Sequence, residues 1–389
     1  MLPTPWSIFG RQIHSRATRA ATVLALFAGV CLTCVAVVWA SYGFRFAPTP
    51  DPSIEFNILG LKGVVAEREI QARNGNFRPT PAELSAWKPG PMVAAALFAN
   101  DHKLLPQTFL AGLLYTHAST QVRDSYLMGQ FSATGWWYYF PVAMVIKTPL
   151  PTLAAMTLSA CWGILLLRRS RPSPEFIWTA ICPLVFILIY LALAVRTNLN
   201  IGMRHMLPIY PPMAVLCGLA AAQGWSLGRR WLRAGIVVLP VLLAIVAVRA
   251  WPNYIPYMNA LAGDDVGRLH WLGDSNLDWG QDLQTLAQWR ATHPEGVLYF
   301  CYFGNVDPER YEIAYEPIVG TLHPRDREVL AYARMTQTGY VAVSASQLQG
   351  IYLPPADRAF FRRLLRTPPV AVIGGSIFVW RWPGMPSTD

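Results

Sequence analysis

The sequence predicts a polytopic α-helical membrane protein of about five spans, with its N-terminus inside and a small outward-facing α/β domain at its C-terminus. Three observations predict this class. The 389 residues are 53% hydrophobic and only 14% charged, where soluble domains carry about 25% charged residues. Five long stretches contain no charged side chain at all. Arginines gather in the gaps between alternate stretches.

A bilayer core is crossed by roughly 20 apolar residues of helix. Residues 21–40, 150–167, 176–195 and 206–225 meet that length. The fifth stretch, 234–248, is shorter, but Arg233 and Arg249 can snorkel from its ends, and Trp231 and Trp251 suit the membrane interface. The first stretch follows Arg11, Arg16 and Arg19, as a signal peptide would. It is too long for a signal h-region, and Ala40-Ser41-Tyr42 is not a small-x-small cleavage site, so it reads as an anchor.

Orientation follows from arginine placement. The tail 1–20 holds Arg11, Arg16 and Arg19; the gap after the second span holds Arg168, Arg169 and Arg171; the gap before the fifth holds Arg229, Arg230 and Arg233. These three segments alternate as the cytoplasmic side must. Loop 43–135 and everything after Trp251 then face outward. The formal charge of +10 comes from 28 Arg and 4 Lys among 22 acidic residues. Much of that excess sits beside spans, so it is a topology signal and gives no reason to expect nucleic acid as a partner.

The domains expected are a cytoplasmic tail 1–20, a membrane domain 21–251 and an outward α/β domain 252–389. Within loop 43–135, residues 92–98 and 109–115 are short and apolar and read as interfacial or re-entrant helices. Residues 135–141 (GWWYYFP) put five successive aromatics just outside a span, the pattern of an interfacial aromatic belt. Lys147-Thr148-Pro149-Leu150-Pro151 then breaks the helix before the second span. After Trp251, helical character at 282–292 and 356–366 alternates with strands at 296–303, 339–344, 370–373 and 377–382. Residues 383–389 are expected to be loose. Five of the six cysteines lie within the apolar stretches and Cys301 stands alone in a polar region, which excludes a disulfide scaffold.

Three constellations carry chemistry, all on the predicted outward side. Arg204 and His205 stand at the mouth of the fourth span. Arg offers a planar fork for phosphate oxygens, and His adds a hydrogen bond or carries a proton; ordinary headgroup anchoring is the plainer reading. The run 273–283 gathers Asp274, Asn276, Asp278, Gln281 and Asp282. It starts like a calcium loop, but glycine comes one place late at Gly280 and Thr285 stands where the bidentate glutamate belongs. A polar surface for sugar hydroxyls, with a divalent ion left open, is the functional reading, and helix capping the structural one. Lys147, beside the aromatics, is a weaker phosphate candidate. Tyr138, Tyr139, Tyr257 and Asn259 are candidates to line the same outward site. No nucleophile elbow, phosphate-binding loop, dinucleotide fingerprint or H-E-x-x-H occurs, and His270, His293 and His323 lack metal-ligand spacing.

Several blocks together resemble a known family. Residues 126–130 (YLMGQ), 135–141 (GWWYYFP), 147–149 (KTP), 200–211 (NIGMRHMLPIYP), 254–259 (YIPYMN), 274–283 (DSNLDWGQDL) and 369–379 (PVAVIGGSIFV) occur in an order similar to bacterial family 39-like glycosyltransferases. These resemble protein mannosyltransferases and lipid A aminoarabinose transferases of the C-type superfamily. The resemblance implies an integral plasma (inner) membrane enzyme that transfers a sugar from a polyprenyl-phosphate donor on the outward face. On that reading Arg204, His205 and Lys147 bind the donor phosphate. Asp274, Asn276, Asp278, Gln281, Asp282, Tyr138, Tyr139, Tyr257 and Asn259 serve sugar or acceptor.

The family's catalytic carboxylate usually lies in its first outward loop, ahead of the matched blocks. Only one span precedes those blocks here, and no family pattern surrounds Asp51 or Glu55, so the catalytic residue is left unassigned. The expectation is therefore a glycosyltransferase or its C-terminal portion, with a separately encoded N-terminal half as a partner beside membrane lipids and the lipid-linked donor. The alternative is a non-catalytic membrane subunit or truncated homologue. A transporter would carry ionisable residues within its spans, and all five stretches lack them.

Overall fold

A computed structural model describes residues 6–8, 11–13, 15–51, 58–75, 78–169, 173–322 and 328–384. Glu55, Arg171, His323 and residues 385–389 of the expected loose tail lie outside the described residues. The chain divides into two compact units, Met1–Val122 and Arg123–Asp389. The candidate spans after the first thus share one unit with residues 252–389, whereas the first candidate span belongs with most of loop 43–135.

In the first unit, β1 (Trp6–Ile8) and β2 (Arg11–Ile13) form an antiparallel pair. Helix α1 (Arg16–Ser41) begins at Ser15, whose hydroxyl accepts the Thr18 N–H at 3.0 Å, and none of its residues is buried. An apolar helix with no protein covering its faces is what a lipid-surrounded span requires. The helices α2 (Ile58–Arg73), α3 (Pro81–Ala86), α4 (Pro91–Asp101) and α5 (Gln107–Gln121) follow. The two short apolar runs expected to be interfacial are α4 and α5. Val93, Ala96, Leu110 and Leu114 pack with Val65 of α2 into a small core of their own. Glu69 stands at its edge, accepting from His117 Nε2 at 2.8 Å and Trp87 Nε1 at 2.9 Å.

The second unit starts with a hairpin, β3 (Ser125–Leu127) and β4 (Gln130–Ser132). Its two-residue turn places Met128 at φ +50° and Gly129 at φ +78°, the double positive φ that matches strand twist in a tight hairpin. Helix α6 (Tyr139–Lys147) stops at Thr148, which is extended because Pro149 disfavours helical geometry before it. Then come α7 (Leu150–Arg169), α8 (Pro174–Ala194), a 3-10 turn Met203–Ile209 running into α9 (Tyr210–Ser226), and α10 (Arg230–Ala250). With α1 these make, among the described residues, five helices long and apolar enough to cross a membrane. Helix α9 packs against α7, α8 and α10. An apolar cavity of about 530 Å³ between α7, α8 and α9 is bordered by Trp162 and Gln223, whose side chains hydrogen-bond at 3.0 Å.

Beyond α10 lie α11 (Asp265–Trp271), α12 (Leu283–Thr292), β5 (Val297–Cys301), β6 (Glu316–Pro317), β7 (Gly339–Ser344), α13 (Ala345–Gln349), α14 (Arg358–Leu364), β8 (Ala371–Ile373) and β9 (Ile377–Trp382). The strands form one mixed sheet in the order β6-β5-β7-β9-β8. β5 pairs in parallel with β6 and β7, and β9 runs antiparallel to β7 and β8. Side chains alternate across it. Leu298, Phe300, Tyr340, Ala342 and Val379 face Leu283 and Leu286 of α12. Tyr299, Cys301, Val341, Val343, Phe378 and Trp380 face Leu348, Phe361 and Leu364 of α13 and α14. A sheet covered on both faces needs apolar residues at nearly every strand position, which is why the strands read as continuous apolar runs. Cys301, expected in polar surroundings, is a buried strand residue, and all six cysteines are free.

Candidate functional site

Two loops of the second unit meet over α6, and one side chain joins them. Asn276 is 1% exposed. Its Oδ1 accepts the Met203 N–H at 2.9 Å, and its Nδ2 donates to Tyr139 Oη at 2.9 Å and to Gly273 O at 3.0 Å. Its carbonyl accepts from Lys147 Nζ at 2.8 Å, and Lys147 also donates to Ile255 O at 2.6 Å. Next to it Ser275 donates to Ile201 O at 2.5 Å. Gly202 leaves room there: a Cβ would lie 2.1 Å from Ser275 Oγ. Buried polar groups are costly unless paired, so this network fixes loop 200–209 against loop 273–282.

The fixed loops present positive charge. The Arg204 guanidinium lies over the exposed Trp279 ring at 4.6 Å, a cation–π pair. Arg123, just before β3, brings Nη2 to 4.0 Å from Asp274 Oδ2. The same carboxylate accepts from the Tyr352 hydroxyl, and Tyr352 stacks on Phe303 with centroids 5.6 Å apart. Arg204 and Arg123 are both near enough to His205 to act on its ring electrostatically. Arg123 Nε and His205 Nε2 are buried without a hydrogen-bond partner. Three nitrogen-bearing groups therefore converge with two ring or guanidinium nitrogens unspent, offset by the carboxylate of Asp274. Such a cluster suits an anion with several acceptor oxygens.

Several residues expected to touch sugar or acceptor hold the fold instead. Asn276 has every side-chain bond spent within the chain. Tyr139 and Phe140 are 0% and 1% exposed, so the aromatic run is not one headgroup belt: Trp137 points out at 71%, while these two turn into the core. Burial pushes the Tyr139 hydroxyl pKa up. Tyr138 is half-buried against Trp137 at the start of α6. Asn259 donates to Val145 O at 2.6 Å and Thr148 O at 2.8 Å, tying down the end of α6.

The carboxylates of the polar run part ways. Asp274 reaches the cationic cluster. Asp278 is fully buried in the second unit, where Oδ1 accepts the Gly280 N–H at 2.8 Å and Oδ2 finds no donor in hydrogen-bond geometry. Burial raises its pKa to about 7, opposed by the Gly280 and Ser346 N–H groups and reinforced by Asp282. Asp282, 4% exposed, accepts from Ser376 Oγ at 2.6 Å and Gln281 Nε2 at 3.2 Å, and burial raises its pKa too. Gln281 turns inward as well, accepting the Trp279 N–H at 2.7 Å. Among the described residues, no group of three or more His, Cys, Asp or Glu is placed to hold a metal ion.

Lys147 is also committed to backbone carbonyls. Burial, and secondarily Arg268, brings its pKa down to about 7, which makes it a poorer phosphate cation than its residue type promised. Tyr257 and Asn259 line a cavity elsewhere, at the end of α10. Sequence reasoning missed Arg123, Tyr352 and Trp279 as members of the cluster. Trp279 lay within the polar run and was legible there; Arg123 borders no span and Tyr352 no motif. No family model, no curated protein and no solved structure matches this chain.

Proposed function

We propose that this chain is a membrane glycosyltransferase, or the C-terminal part of one, that receives a sugar from a polyprenyl-phosphate donor at the outward face of the plasma (inner) membrane. The observation that carries the reading is the convergence of Arg123, Arg204 and His205, with Arg123 Nε and His205 Nε2 buried and unpartnered. A phosphodiester at the head of a lipid is an anion of matching chemistry at matching depth, since His205 and Arg204 begin the fourth candidate span. The ordered sequence blocks supply the sugar-transfer part of the reading, and the arginine distribution supplies its orientation.

In such a transfer the acceptor hydroxyl oxygen forms a bond to the anomeric carbon as the bond from that carbon to the phosphate oxygen breaks. The lipid phosphate leaves with the electron pair, and the hydroxyl proton passes to a base. Charge grows on the departing phosphate, where Arg204 and Arg123 stabilise it more than they stabilise the bound donor. Trp279, held under Arg204 with its ring exposed, offers an apolar face for a sugar ring.

A second reading, a non-catalytic donor-binding subunit, is favoured by the carboxylates: Asp278 and Asp282 are buried, and Asp274 is engaged by Tyr352. One experiment separates the two. A polyprenyl-phosphate sugar should bind the purified chain, and Arg204→Ala or Arg123→Ala should weaken it about tenfold to a hundredfold. Unchanged affinity in both variants would overturn the phosphate site. Binding without turnover would favour the subunit.

A further inference from the structure

A cavity of about 480 Å³ lies where α10 gives way to the following segment, within the size range of small-molecule sites. Its wall includes Arg249, Asn253, Tyr257, Arg268 and the hairpin glycines Gly374 and Gly375. Arg249 is exposed on the last turn of α10. Arg268 comes from a different element, α11, and pairs with Asp265. Among the lining residues, two guanidinium groups thus meet one carboxylate, Asp265, so the lining carries net positive charge at the end of a candidate span, while the Asp282 carboxyl lies against Gly374 outside the lining.

The recess is kept open by the hairpin between β8 and β9. Gly374 and Gly375 have φ of +58° and +85°, which disfavours other residues there. A Cβ on Gly375 would lie 3.0 Å from Pro256 Cγ and 3.8 Å from Arg268 Nη1, so any side chain would grow against Arg268. A lone arginine at a helix end is satisfied by snorkelling. A walled recess with a second guanidinium from another element offers more than snorkelling needs.

We propose that this cavity binds a phosphate anion through Arg249 and Arg268, with Asn253 and Tyr257 supplying an amide and a phenol, and that the anion is the headgroup of an anionic phospholipid. The site shares neither arginine with the Arg204 cluster and stands whether or not the chain transfers sugar. The lipid source follows from position, since Val246, Arg249 and Ala250 at the end of a candidate span form part of the wall.

The test is native mass spectrometry of the full chain in detergent, titrated separately with phosphatidylglycerol, phosphatidylcholine and inorganic phosphate. We expect one saturable phosphatidylglycerol adduct, at least about tenfold tighter than phosphatidylcholine. Arg249→Ala with Arg268→Ala should weaken it about tenfold or more. Ala260→Trp, which fills the recess from an exposed position without changing charge, should do the same and serves if the double variant fails to fold. An adduct with inorganic phosphate alone, lost in both variants, would keep the anion site and reject the lipid source. Phosphatidylglycerol affinity unchanged in both variants, or equal for phosphatidylcholine, would overturn the proposal.

Discussion

Replacing Asn276 by alanine should unfasten the two loops that present the cationic cluster. The side chain makes three hydrogen bonds, at 2.9, 2.9 and 3.0 Å, and the Met203 N–H that it accepts is buried. Two lost bonds cost about 1 kcal/mol each, and leaving that N–H unsatisfied adds about 1–3 kcal/mol, so Asn276→Ala should destabilise by about 3–5 kcal/mol. That exceeds the effect of most single substitutions. Unfolding in mixed micelles titrated with sodium dodecyl sulfate, followed by tryptophan fluorescence, measures it. Gln284→Ala, exposed on α12, is the control and should stay within about 0.5 kcal/mol of the parent chain. An Asn276→Ala chain as stable as that control would refute the view that this side chain holds the loops together.

Two further predictions follow from the same unit. Asp278 has its folded pKa raised from 3.8 to about 7, so the native state holds its proton where the unfolded state has lost it. The contribution of Asp278 to stability should fall by about 4 kcal/mol as pH rises from about 4 to 7 and stay constant above. Asp278→Asn should remove that slope, and a variant profile parallel to the parent across the window would count against the buried acid. Gly202→Ala should cost about 1–2 kcal/mol, because its Cβ would displace Ser275 Oγ from Ile201 O. Most of that cost should vanish in a Ser275→Ala background, and an equal cost in both backgrounds would show that the clash is not the cause.

The candidate spans and four of the sheet's strands, β5, β7, β8 and β9, were legible in the sequence, whereas β6 and the two short hairpins were not. A bilayer imposes a length of apolar helix that shows in any single stretch; the expected 176–195 is Pro174–Ala194, and 234–248 widens to Arg230–Ala250 as its flanking arginines join the helix. The sheet was legible because burial on both faces leaves continuous apolar runs, and the expected 339–344 is Gly339–Ser344. Helix α2 was not legible: Gly60, Gly63 and mixed polarity weaken its pattern, and packing against α5 supplies what propensity does not. Tertiary structure alone decided which polar residues face the site and which brace it. Asp274 and Asp278 are the same residue type four positions apart, yet one meets Arg123 and the other is fully buried. The reason is that polar side chains are satisfied by partners the chain brings from afar: Asn276 bonds Tyr139 across 137 positions, and Lys147 reaches its carbonyl across 129. Apolar periodicity is written locally, whereas the pairing of hydrogen-bond donors and acceptors exists only once the chain has folded.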